Sequence, residues 1–134
     1  MNDDIACICG RLRRASRTLS RRYDAALAAV GMNVNQYAVL RNLSQMPRPT
    51  LAEFAERTAH EKSAMWRTLQ PMIRDGWITV EPGRTQHFSL SDAGRAQLDL
   101  ARPFWTEAQA EISNILGQRE AVLIELLHEI ETHV

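Results

Sequence analysis

Between Thr50 and Leu90 four local signals stand in a fixed order, and few folds accommodate that order. Thr50-Leu-Ala-Glu53 is a capping box, with a threonine hydroxyl to take the third helical amide and a glutamate to reach back. The short helix it opens breaks at Thr58-Ala-His60, and a second helical run follows from Glu61 to Asp75, stopped by Gly76. Two strand-like runs come next, Trp77 to Val80 and His87 to Leu90, joined through Glu81-Pro-Gly-Arg84. Pro82 and Gly83 suit the second and third positions of a type II turn, which needs a fixed φ and then a positive one. Helix, turn, helix and β-hairpin in succession predict a winged helix-turn-helix, a unit whose second helix enters the major groove of duplex DNA.

Long amphipathic helices flank this unit. From about Asp3 to Ala29, the residues Ile5, Ile8, Leu12, Ala15, Leu19, Tyr23, Ala26 and Val30 recur at gaps of three and four, one apolar stripe on one helix that Gly31 ends. Asn33 and Gln36 stand in N-cap and third-position relation for a helix through Tyr37, Val39, Leu40 and Leu43, closed by Pro47-Arg-Pro49. After the hairpin, Ser91-Asp92 caps a helix that continues past Gly94 to about Leu116. Its Leu98, Ala101, Trp105, Ala108, Ile112 and Ile115 make a narrow, coiled-coil-like seam, with a kink expected at Pro103. Gly117 interrupts, and a last helix carries Leu123, Leu126, Leu127, Ile130 and Val134.

The expected fold is therefore mainly α with a small β-hairpin wing, one domain over residues 1–134. Dimerisation helices take about 3–30 and 92–134, and the winged helix-turn-helix takes about 33–91. Helices of roughly 25 residues extend about 40 Å and outrun the small core they bracket. A homodimer in which the first and last helices of two chains interleave uses both stripes.

Formal net charge is zero, which suits a DNA-binding chain only because the charges are segregated. Residues 1–60 carry nine arginines against five acids, residues 96–134 two against seven. Arg11, Arg13, Arg14, Arg17, Arg21 and Arg22 fall in one window without an acid, so the local field matters more than the total. Thr50 to Leu90 is balanced, with five bases and five acids, so phosphate affinity per subunit should be modest. At 45% hydrophobic the chain has an ordinary globular composition, and no apolar run approaches bilayer-spanning length. The start, Met-Asn-Asp-Asp, lacks the pattern of a signal peptide, and a cytoplasmic location is expected. No nucleophile–base pattern, phosphate loop or metal motif stands out, so neither enzyme activity, cofactor nor metal is expected. His60, His87, His128 and His133 lack ligand spacing.

With these pieces placed, the chain resembles the MarR family (multiple antibiotic resistance regulators) over nearly its whole length. The carrying strings are Gly31-Met-Asn-Val-Asn-Gln36-Tyr37-Ala-Val-Leu40, Leu51-Ala-Glu-Phe-Ala55, Lys62-Ser63, Arg67-Thr-Leu69, Asp75-Gly76-Trp77-Ile78 and Phe88-Ser-Leu90-Ser91-Asp-Ala-Gly94. The resemblance implies a dimeric winged-helix transcription factor, usually a repressor, released from its operator by a small ligand or by oxidation. The departure is in the wing. Arg84 matches the family's wing arginine by its spacing to Phe88 and Leu90, but Pro82 replaces the usual aspartate and Val80 stands where a strand arginine is common.

On the second helix of the reading unit, Lys62, Ser63, Trp66 and Arg67 are the side chains expected to reach phosphates or base edges, Arg67 being best suited to guanine. Ala64 and Met65 would allow close approach or touch a thymine methyl, and Arg84 would reach from the wing. Trp105, with Phe104 and Met32, would line an effector pocket between the dimerisation helices and the reading unit. Cys7 and Cys9 form a candidate redox pair: Cys9 on or beside the apolar stripe, Cys7 on the side of Arg11 and Arg14. The partners expected are a double-stranded DNA operator, a second copy of the chain and a small-molecule effector. The competing reading is a winged-helix protein-interaction module without DNA binding, suggested by the balanced charge of Thr50–Leu90 and the clipped wing.

Overall fold

The computed structural model describes residues 7–134. The elements run α1 (Ile8–Leu27), a single 3-10 turn (Ala28–Val30), α2 (Val34–Gln45), α3 (Leu51–Arg57), α4 (Lys62–Arg74), β1 (Ile78–Glu81), β2 (His87–Leu90), α5 (Asp92–Leu116) and α6 (Arg119–His133). The strands pair antiparallel, Ile78 opposite Leu90 and Glu81 opposite His87, giving a mainly helical winged fold. Side-chain oxygens cap the starts of α2, α3 and α5. Asn33 and Gln36 close a capping box at α2, Thr50 and Glu53 another at α3, and Ser91 accepts from the Gly94 amide at 3.0 Å.

The core gathers buried residues from α1 to α5 and from both strands, and none from α6. Its largest fully buried side chains are Leu27, Leu40, Phe54, Met65, Leu69, Met72, Phe88 and Leu98. The helices α1, α2 and α5 pack on one another. Asp24 Oδ1 accepts the Val34 amide at 2.7 Å, the Gln97 side chain donates to the Val30 carbonyl at 2.7 Å, and Arg22 pairs with Glu111.

Gly94, a poor helix former inside α5, is explained by packing. A Cβ placed there would lie 2.9 Å from the Trp77 carbonyl carbon and closer still to its oxygen. The glycine lets α5 run against the base of the wing, where the Ser91 amide donates to that same Trp77 carbonyl at 3.1 Å.

Several expectations are corrected. The first helix does not begin at Asp3: Cys7 has extended backbone and caps a helix starting at Ile8, while Asp3, Asp4 and Ile5 lie outside the described residues. Its apolar stripe, expected to serve between two chains, leaves Ile8, Leu12 and Leu19 exposed in the single chain, and Cys9 beside it is exposed too. The helix α5 runs to Leu116 as expected, with Pro103 inside it. The seam of α5 divides, with Leu98, Ala101 and Ala108 buried and Ile115 71% exposed. The Pro82-Gly83 connection is not a type II turn. The register leaves residues 82 to 86 as a loop of bends, and Gly83 takes φ +151° instead of about +80°. No helix among the described residues is long and apolar enough to cross a membrane.

Candidate nucleic-acid interface

The first helix of the reading unit is pinned at its start. Thr50 Oγ1 accepts the Glu53 amide at 3.2 Å and Glu53 takes the Thr50 amide at 2.9 Å, a bond that holds the Glu53 carboxyl below its ordinary range. At the other end the chain turns sharply. Ala59 adopts a left-handed φ of +56°, and the His60 amide returns to the Ala55 carbonyl at 2.9 Å. Helix α4 then starts at Lys62 with no side-chain cap from Glu61.

The phase of α4 decides which side chains face outward. Met65, Leu69 and Met72 are buried against the core. On the opposite side Ser63, Arg67, Gln70 and Arg74 form one exposed row at helical spacing. Two cations and two hydrogen-bonding neutral groups stand along it, and no residue from Lys62 to Arg74 is acidic. Of the residues expected at DNA, Lys62, Ser63 and Arg67 are exposed and Ala64 is half-buried. Met65 is corrected: at 1% exposure its side chain belongs to the core and has no path to a base. Trp66 is half-buried, its ring edge-on to Phe88 at 6.2 Å, so it joins α4 to the wing. Gln70 and Arg74 were missed, although counting on from Ser63 by four, seven and eleven residues would have found them.

The wing is braced at its root. Phe88 donates its amide to the Pro49 carbonyl at 2.9 Å, His87 Nδ1 meets the Arg48 carbonyl at 2.9 Å, and Arg48 pairs with Glu81. These bonds hold the hairpin root against the α2–α3 loop, and Arg84 stands exposed in the loop that joins the two strands.

The residues expected to line an effector pocket are brought together but occupied. Trp105 is sandwiched between Tyr23 and Tyr37, stacked at centroid distances of 6.3 and 5.6 Å, with the Arg41 guanidinium 5.1 Å from its ring. Burial holds both phenols above their ordinary ionisation range. Met32 is buried in the core and Phe104 packs on its margin. An apolar groove of about 420 Å³ lies elsewhere, between α1, α5 and α6, lined by residues including Leu19, Ile112, Ile115 and Leu123. Cys7 caps α1, its sulfur accepting the Gly10 amide at 3.3 Å. Among the described residues no group of three or more His, Cys, Asp or Glu side chains is placed to hold a metal ion.

A helix-turn-helix with an outward-facing polar row, followed by a braced hairpin, defines a winged helix-turn-helix protein. The MarR family model matches residues 30–87. The Mycobacterium tuberculosis transcriptional regulator MosR superposes with a TM-score of 0.83 at 32% identity over 93% of both chains, and the same regulator in complex with DNA is 34% identical over 91% of this chain and 92% of that one, also at 0.83. The transcriptional repressor CouR bound to p-coumaroyl-CoA matches with a TM-score of 0.89 over 100% and 98% of the two chains, at 20% identity, a likeness of fold. No curated protein matches the sequence. The chain belongs to the MarR family of transcriptional regulators, and it is a regulator, not an enzyme.

Proposed function

We propose that this regulator acts in the cytoplasm as a homodimer that binds a specific operator in double-stranded DNA, and represses until a small ligand or cysteine oxidation releases it. The observation that carries the reading is the row Ser63, Arg67, Gln70 and Arg74 on the outer face of α4, free of carboxylates, with Lys62 exposed at the start of the same helix. MosR, crystallised with DNA, supports it. The dimer rests on the apolar surface that the terminal helices leave uncovered. Ile8 is 68% exposed and Ile124 61%, and no residue of α6 is buried. Two copies joined there place their α4 helices about one DNA turn apart, near 34 Å, on a partly palindromic site. Selection of DNA fragments by the purified protein, followed by gel shift, tests this; no enrichment over random sequence refutes it.

Arg67→Ala and Arg84→Ala weaken binding by different routes. Loss of Arg67 costs about 1–3 kcal/mol and relaxes base preference at one position per half-site. Loss of Arg84 acts through phosphates or a narrow minor groove, flattening the salt dependence or weakening binding to A·T-flanked sites. Titrations of both variants at several salt concentrations separate the two; an unchanged affinity and salt slope for Arg84→Ala means that the wing tip does not touch DNA.

In this reading the effector enters beside Phe104 and Trp105 and has to part the aromatic stack to do so. The oxidative route uses Cys7 and Cys9. Peroxide takes one hydrogen from each thiol, leaving a disulfide and two waters. Because Cys7 caps α1 and Cys9 lies inside its first turn, closing that bond removes the cap to Gly10 and unwinds the turn carrying Ile8 on the dimer face. Mild peroxide therefore weakens operator binding by wild type and leaves a Cys7→Ser/Cys9→Ser variant unaffected. Equal binding by both proteins before and after treatment, with no linkage by mass spectrometry, sinks the switch.

A further inference from the structure

Helix α1 carries a polar row of its own, on the face turned away from its apolar stripe. Arg13, Arg17 and Arg21 follow at intervals of four and are all exposed. At 3.6 residues per turn they fall on one side of the helix, about 12 Å from first to last, with Ile8, Leu12, Ala15 and Leu19 on the opposite side. Ser16 and Ser20 place hydroxyls beside them, and Ser16, Arg17, Ser20 and Arg21 share one surface depression. No residue from Ile8 to Tyr23 is acidic. Asp24, which borders the same depression, accepts the Val34 amide at 2.7 Å. Arg22, Arg48 and Arg102 pair with Glu111, Glu81 and Asp99, whereas among the described residues no carboxylate lies within ion-pair distance of Arg13, Arg17 or Arg21. Like charges four apart repel along a helix, and an anion laid across the row relieves that repulsion.

We propose that this row is a second contact with duplex DNA, sequence-independent, made through backbone phosphates and separate from the α4 interface. The guanidinium fork matches phosphate oxygens, and serine hydroxyls are donors of the kind that position a protein on the backbone. Along one strand a phosphate recurs about every 3.4 Å of axis, so a row of about 12 Å spans about three of them. The row holds no stacking group, since Tyr23, the aromatic residue of α1, is stacked on Trp105. That suits a duplex, with its bases turned inward, better than a single strand. The reading unit from Thr50 to Leu90 carries five bases against five acids, so long-range attraction to phosphate has to come from elsewhere in the chain. The identity of the polyanion rests on the proposed function above; the exposed charge of the row does not.

The test is fluorescence anisotropy of a labelled random-sequence duplex titrated with the full chain at several salt concentrations. The proteins are wild type, Arg13→Gln/Arg17→Gln/Arg21→Gln, the corresponding lysine triple variant and Arg67→Ala. Loss of the three charges weakens binding at least about tenfold at low salt and lowers the salt slope by about one for each arginine, while the lysine variant keeps most of both. Arg67→Ala keeps most of the random-duplex binding. Should the glutamine triple variant fail to fold, Arg17→Gln alone lowers the slope by about one. Capture of a second labelled duplex by protein held on an immobilised one puts the row on a separate duplex. Tighter binding on lengthening one fragment, without such capture, puts it on the flank of the same duplex. A wild type that holds random duplex through these arginines and prefers no sequence supports the row and refutes the operator reading. Unchanged affinity and slope in a glutamine variant that sediments as wild type does, with operator preference intact, overturns the row and spares that reading. Equal loss in the lysine variant, or polyglutamate bound through the row as tightly as the duplex, also overturns it.

Discussion

Gly94→Ala destabilises the protein by about 3 kcal/mol, at the upper end for an overpacked site. Elsewhere inside a helix the same change stabilises by up to about 1 kcal/mol through propensity and unfolded-state entropy, so the sign is diagnostic. The reversal follows because the new methyl meets the backbone of Trp77, which cannot rotate aside as a side chain would. Trp77 is held on both sides, its amide donating to the Met72 carbonyl at 3.0 Å and its carbonyl accepting from Ser91 at 3.1 Å. Any shift that relieves the clash therefore moves the wing relative to α4. Urea unfolding of wild type, Gly94→Ala and the exposed control Ala96→Gly checks this, the control losing only about 1 kcal/mol. A neutral or stabilised Gly94→Ala protein refutes the close approach.

Leu19→Glu and Leu123→Glu convert the proposed homodimer to a monomer and lower operator affinity by about 10²–10⁴-fold, the range lost when two linked binding events become independent. Both leucines line the apolar groove between α1, α5 and α6, and both are more than a third exposed in the single chain. A carboxylate there costs the monomer little, since it stays in water, but at an apolar interface it would be buried without a partner. Sedimentation velocity reads the assembly, circular dichroism verifies the fold, and gel shift reads the operator. Variants that remain dimeric, or a wild-type chain that sediments as a monomer, contradict this interface.

The helix starts at Asn33, Thr50 and Ser91 were legible because each cap is a conversation between residues three apart, settled by local hydrogen bonds whatever the rest of the chain does. The order of elements and the stripes on the terminal helices were legible for a similar reason, since helical and strand periods are properties of neighbours. The tertiary structure alone decided which way α4 faces, burying Met65 and turning Trp66 onto Phe88, a partner 22 positions on. It also closed the Tyr23–Trp105–Tyr37 stack, set Arg57 between two amides of α2, and made a glycine necessary at position 94. Each of these depends on a contact between segments far apart in the chain. Composition and spacing carry the preference of each segment for helix or strand, but not the distance and angle at which two segments meet.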